Sequence, residues 1–159
     1  MQNRNLYLCL IFLCLHFLGH HFFVKYYSAE PLVEPISLNP EGKISKQIEI
    51  RMPQRYDLDL SFSREGHEFD KLKKLVGGVL PEDRIGIVIP LRWSLAESIS
   101  NEVILQNQVQ TSGAHSFSKY EIDRFIDYIA VTPGNYILNV EVLQTVPELK
   151  GVNASIKVS

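Results

Sequence analysis

From residue 47 onward the chain is dominated by apolar and polar side chains that alternate at period two. The clearest case is 56–62. Tyr56, Leu58, Leu60 and Phe62 share one face and Asp57, Asp59 and Ser61 the other, the pattern of a strand with one buried side. Residues 85–95 repeat it. Ile85, Ile87, Ile89, Leu91, Trp93 and Leu95 align on one face, opposite Gly86, Val88, Pro90, Arg92 and Ser94. This predicts a principal core strand with Trp93 inward and Arg92 outward. Pro90 has no amide proton to give to a ladder, so the strand is expected at a sheet edge or bulged there. Further strands are predicted at 47–52, where Ile48, Ile50 and Met52 alternate with Glu49 and Arg51, and at 101–111. Another follows the Pro133-Gly134 turn, with Tyr136, Leu138, Val140 and Val142 in phase, and a last one spans 152–158 behind a turn at 147–151.

The period changes at Phe69, Leu72, Leu75 and Val76, which fit one short helix. Glu68 and Asp70 stand near its start and Lys71, Lys73 and Lys74 toward its end, in the sense that suits the helix dipole, and Gly77-Gly78 stops it. Residues 120–131 stay open between helix and strand: Ile122, Phe125, Ile126 and Ile129 suit a helix, whereas 125–131 could run as a strand into the turn. Short strands at regular spacing with one or two short helices predict a mainly β, antiparallel β-sandwich over 47–159. Pro31, Pro35 and Pro40 make 30–46 an expected extended arm, with room for a short edge strand near 33–38.

The first 29 residues follow another rule. A polar start with Arg4 leads into the apolar run from Leu6 to Leu15, continuing less cleanly to Val24. These are the parts of a secretory signal. Tyr27-Ser28-Ala29 offers a small residue at a cleavage position but a bulky Tyr two places before it. As an uncleaved anchor, residues 6–24 in a helix would reach roughly 28 Å, close to the hydrocarbon thickness of a bilayer. Both readings, signal peptide or N-terminal membrane anchor, place the rest of the chain outside the cytoplasm. Cys9 and Cys14 both lie in this leader, and neither follows the small residues that a lipid-acceptor cysteine needs. The remaining domain must therefore be stabilised by its core, without disulfides.

The length of 159 residues favours one domain. Without Arg4 and Lys25, 14 basic residues face 18 acidic ones, a net charge of −4. That acidity argues against nucleic acid as a partner and gives no pull toward anionic lipid, so membrane contact is expected only through an uncleaved leader. Candidate chemistry is sparse. Glu65, His67, Glu68 and Asp70 form the richest polar cluster, yet they match neither a calcium loop nor a zinc spacing and read better as a solvated loop before the helix. Asp57 and Asp59 form a carboxylate pair on a strand, about 6–7 Å apart, more typical of an exterior sheet face than of glycoside chemistry. His115 sits in the polar loop 113–118 beside Ser116, with no nucleophile elbow around either. No catalytic residue, metal site or cofactor is expected.

Three stretches together resemble a known family: Ile87-Val88-Ile89-Pro90-Leu91-Arg92-Trp93-Ser94-Leu95, Thr132-Pro133-Gly134-Asn135-Tyr136 and Pro147-Glu148-Leu149-Lys150-Gly151. Together they are similar to a family of small exported bacterial proteins known only as a domain of unknown function. The resemblance spans roughly residue 48 to the end and implies a bacterial envelope protein, with no active residues to carry over. Pro133-Gly134-Asn135-Tyr136 also resembles the turn and strand start of immunoglobulin-like sandwiches, which implies fold and not function. The resulting expectation is an exported, non-enzymatic domain that binds a protein partner in the envelope, an immunity protein against a toxic effector being one concrete form. Asp57, Asp59, Arg92 and His115 are the candidate contacts. A small-ligand or carbohydrate-binding sandwich is the alternative, and a hydrolase using His67 or His115 ranks last.

Overall fold

The computed structural model describes residues 32–80 and 85–159. The leader expected at 1–29 lies outside them. Among the described residues no helix is long and apolar enough to cross a membrane.

Among the described residues nine strands and one α-helix follow in order: β1 Leu32–Ile36, β2 Lys43–Ile50, β3 Arg55–Ser63, α1 Phe69–Val76, β4 Ile89–Glu97, β5 Val103–Thr111, β6 Ser116–Phe117, β7 Glu121–Ala130, β8 Gly134–Val142 and β9 Ala154–Val158. A short 3-10 turn, Pro147–Leu149, precedes the last strand. The strands form two antiparallel sheets, β1-β9-β3-β7-β6 and β2-β8-β4-β5. The fold is thus mainly β, with the two sheets arranged as a sandwich. Tyr56, Leu58, Leu60 and Phe62 of β3 and Ile89, Leu91, Trp93 and Leu95 of β4 fill its core, together with Leu138 and Val140 of β8 and Ile156 of β9. Burial of such side chains drives assembly, at about 1.5–3 kcal/mol for each large one.

The structure departs from the sequence pattern in several places. The stretch 30–46, expected as an arm with a short edge strand near 33–38, has that strand as β1 and also supplies the start of β2 from its described residues 32–46. β1 pairs with β9 from Leu32↔Val158 to Ile36↔Ala154, so this stretch belongs to the sandwich. Residues 120–131 form a strand, and its mixed signal has a cause: Leu58 pairs with Asp127 and Asp59 with Phe125, leaving Ile126 as a β-bulge. The bulge shifts the phase of alternation, and Ile122, Ile126 and Ile129 then mimic helical spacing. The long core strand begins only at Ile89. Ile85 is 84% exposed and continues the alternation by coincidence in an irregular segment. β4 is central rather than an edge, and its irregularity falls at Leu95/Ala96, not at Pro90. Pro90 is tolerated because it stands at the strand's beginning, where its carbonyl accepts from the Leu143 amide beyond the end of β8.

α1 crosses between the sheets with Leu72 and Val76 buried. It ends at Gly77, whose φ of 81° suits glycine. Gly86 passes so close that a Cβ on it would lie 2.4 Å from the Gly77 nitrogen.

Candidate functional site

The outer face of the five-stranded sheet should be solvated by the rule of alternation. It is instead partly buried. Residues 115–117 run along β7 at the sheet edge, the His115 amide donating to the Asp123 carbonyl and β6 pairing beside Asp123 and Ile122, and the His115 side chain reaches across the face to Asp59. On this face lie two cross-strand rows: Lys157, Asp59 and Phe125 from β9, β3 and β7, then Ser155, Ser61, Asp123 and Ser116. Asp59 is only 4% exposed, Ser61 1% and Asp123 8%.

Their polar atoms are incompletely matched. The Ser116 hydroxyl donates to Asp123 Oδ2 at 2.8 Å. Lys157 Nζ bonds Glu121 Oε2 at 3.2 Å and lies 3.8 Å from Asp123 Oδ2. His115 Nδ1 stands 3.6 Å from Asp59 Oδ1, beyond hydrogen-bond reach. Asp59 Oδ1, Asp123 Oδ1 and Ser61 Oγ are buried without a hydrogen-bond partner. Burial pushes the Asp59 carboxyl up to about 6. The His115 side chain opposes that shift, and the carboxylates of Asp123 and Asp57 reinforce it. Burial works against the Lys157 charge, but its hydrogen bond to Glu121 and the nearby Asp123 carboxylate outweigh this and raise its pKa. Aromatic groups flank the cluster: His115 and Phe125 ring centres lie 6.1 Å apart, Phe125 and Tyr128 4.4 Å, and the Arg55 guanidinium sits 3.9 Å over Tyr128.

Past Glu121 and Ser155 the face opens into a groove of about 610 Å³, lined by Pro35, Ser37, Ser63 and Leu149 among others. A second, of about 420 Å³, is lined by Arg64, Glu65, His67 and Tyr120. Among the described residues no three His, Cys, Asp or Glu side chains are grouped to hold a metal ion.

Of the four candidate contacts, the structure brings three together. Asp57 and Asp59 share the outer face of β3, with His115 against Asp59. Asp59 is not the exterior residue that alternation implied: it is 4% exposed, with the His115 side chain against it. Arg92 lies elsewhere, exposed on the four-stranded sheet and 3.5 Å from Glu141. Asp123 and Lys157 were not legible in advance as members of the cluster, since only the strand register places them there.

The opposite side of β7 carries a contrasting group. Arg124 is fully buried and donates to four backbone carbonyls: Val76 at 2.6 Å, Ile87 at 2.8 Å, and Thr111 and Leu75 at 3.2 Å. It thereby ties the end of α1, the segment before β4 and the end of β5 to one strand. Its cation also suits the negative end of the helix. Burial alone lowers its pKa to about 10, so it stays charged at neutral pH. Its sequence signal is a lone charge in the apolar phase between Ile122 and Ile126.

No curated protein matches the chain. Among solved structures, a crystal structure of a Sulfurospirillum deleyianum protein is similar, with a TM-score of 0.67 and 20% identity over 82% of this chain and 97% of that one. At that identity the likeness concerns the fold alone. The family model of a domain of unknown function, DUF5625, matches residues 33–159, and the chain belongs to that family.

Proposed function

We propose that this is a non-enzymatic protein-binding domain of the bacterial envelope, and that it binds through the outer face of the five-stranded sheet around Asp59, Asp123 and His115. The observation that carries this reading is the set of buried acceptor oxygens without donors. Such oxygens are costly to leave unpaired. A partner's Lys or Arg side chain entering beside His115 would supply the donors and the charge, while Tyr128 and Phe125 would offer the aromatic contact common at interface centres. Arg92 lies on the other sheet and is left out of this surface. Export rests on the signal-like pattern of residues 1–29. An immunity protein neutralising a toxic effector is a concrete form of this function. The sandwich is read as immunoglobulin-like, supported by the Tyr136 hydroxyl, which donates to the Thr132 carbonyl at 2.7 Å in the manner of a tyrosine corner.

The test is a photo-crosslinking amino acid at Tyr128, and in a second variant at Arg92, in the full chain within its own envelope. The expected result is one discrete protein adduct from the Tyr128 position, abolished when Asp59→Ala and Asp123→Ala are added, and none from the Arg92 position. Absence of an adduct at Tyr128, or an adduct only at Arg92, overturns the assignment.

A second reading, small-ligand or carbohydrate binding, is supported by the 610 Å³ groove, which falls within the usual size of ligand sites. A glycan array without signal would remove it. A hydrolase using His67 or His115 ranks last; the Ser116 hydroxyl beside His115 is directed to Asp123.

A further inference from the structure

A sandwich of two open sheets has four edge strands, here β1, β6, β2 and β5. An exposed edge offers unpaired amides and carbonyls to any other strand, and proteins commonly blunt it. Three of these edges are blunted. β1 has five residues and includes Pro35, the edge formed by β7 and the two-residue β6 is broken by the bulge at Ile126, and β2 sets Lys43, Lys46 and Glu49 toward solvent. β5 is different. It spans nine residues, Val-Ile-Leu-Gln-Asn-Gln-Val-Gln-Thr, without a charge or a proline. Most of them are exposed, Val103 by 50% and Ile104 by 41%.

The direction of its backbone groups follows from its neighbours. Pro90 of β4 presents its carbonyl to Leu143, on the β8 side. Antiparallel ladders alternate, so Leu91, Trp93 and Leu95 turn toward β5 and bond their partners Val109, Asn107 and Leu105. Gln106, Gln108 and Gln110 must then direct their amides and carbonyls outward. The Gln108 amide accordingly donates to the Asn107 side chain at 2.8 Å.

We infer that β5 pairs with β5 of a second copy of this chain, antiparallel about a two-fold axis at Asn107, joining the two four-stranded sheets into one. The sequence is nearly palindromic about that residue. Gln106 falls opposite Gln108 of the partner subunit, and Leu105 opposite the partner's Val109. This register matches outward-directed residue to outward-directed residue, so Gln106 and Gln108 exchange backbone hydrogen bonds across the axis while Leu105, Asn107 and Val109 form the non-bonded pairs. Like extends like on both faces: the aliphatic pair prolongs the core side and the glutamines the solvent side. An uncharged strand can meet its own copy without repulsion, whereas β2 would bring its own charges together. The bulge at Ile104, where Leu95 pairs with Leu105 and Ala96 with Val103, ends the regular ladder on that side. The Asn107 side chain donates to Asp127 Oδ2 of β7 at 2.8 Å, so this edge runs beside β7, whereas the proposed partner site is the outer face of the sheet to which β7 belongs.

Sedimentation of the purified full chain over a concentration series tests this in three forms. The unaltered chain should sediment as a dimer. Gln106→Lys with Gln108→Lys places like charges opposite one another twice and should weaken association at least about tenfold. Gln106→Lys with Gln108→Glu places opposite charges there and should restore the dimer. A monomer at every concentration overturns the proposal, as does a dimer equally strong in the double-lysine form. Hydrogen exchange of the unaltered chain gives a check independent of the variants: the Gln106 and Gln108 amides should gain protection as concentration rises, and unchanged exchange overturns the pairing.

Discussion

Asp123 and Arg124 are neighbours in β7 and face opposite ways, and the two sides of the strand treat buried charge differently. On the core side Arg124 has four carbonyl acceptors, and its charge fixes three separate segments to one point. On the outer side Asp123 and Asp59 keep an oxygen each without a donor. A buried polar group that is fully matched makes structure specific, whereas one that is half matched costs stability in the isolated domain. The first is therefore a fastening of the fold. The second is a cost that a bound partner can offset.

The comparison breaks most visibly at Arg124. Arg124→Met keeps bulk but removes the side-chain donor from four carbonyls, of which Leu75 keeps the Ile87 amide, and should cost on the order of 3 kcal/mol in urea unfolding. A loss below about 1 kcal/mol would mean that water replaces the guanidinium and that the fastening is weak.

Asp59→Asn should act in the other direction. Below the ordinary carboxyl pKa of 3.8 Asp59 is neutral in both folded and unfolded chains. Between there and about 6 the unfolded chain releases the proton while the folded one holds it, so stability falls as pH rises through that window. The asparagine variant escapes this loss. It should be more stable by about 1–3 kcal/mol at pH 7 and gain nothing below pH 4, as read by thermal unfolding at both pH values. A variant less stable at pH 7 would show that the carboxylate is satisfied after all.

Arg92→Ala sets the lower bound. Arg92 and Glu141 form an exposed pair on the other sheet, and its loss should change stability by less than about 0.5 kcal/mol.

The sequence carried the strands better than their surroundings. Alternation in 56–62, 136–142 and 152–158 matches β3, β8 and β9 closely, because each runs regularly against one core. It misplaced the start of β4, since an alternating but irregular segment looks the same as a strand until hydrogen bonds are seen. It left β7 undecided because one bulge changes which residues share a face. The site was legible in part: Asp57 and Asp59 stand out as a carboxylate pair on one strand and His115 as the one histidine of the loop 113–118. Their meeting depends on residues 115–117 pairing with β7, which brings the His115 side chain to Asp59, and the roles of Asp123 and Lys157 depend on register. These are long-range pairings, to which local periodicity is blind.

β1 and β9 lie side by side and antiparallel, with Leu32 opposite Val158. The domain thus receives its chain and gives it up at nearly the same point. A load applied between these two residues would pull across the ladder rather than along it, opening the hydrogen bonds one after another like a zipper. Against tension between its own ends this sandwich is mechanically soft, however well its core is packed. A body fused at either end would stand next to whatever is fused at the other.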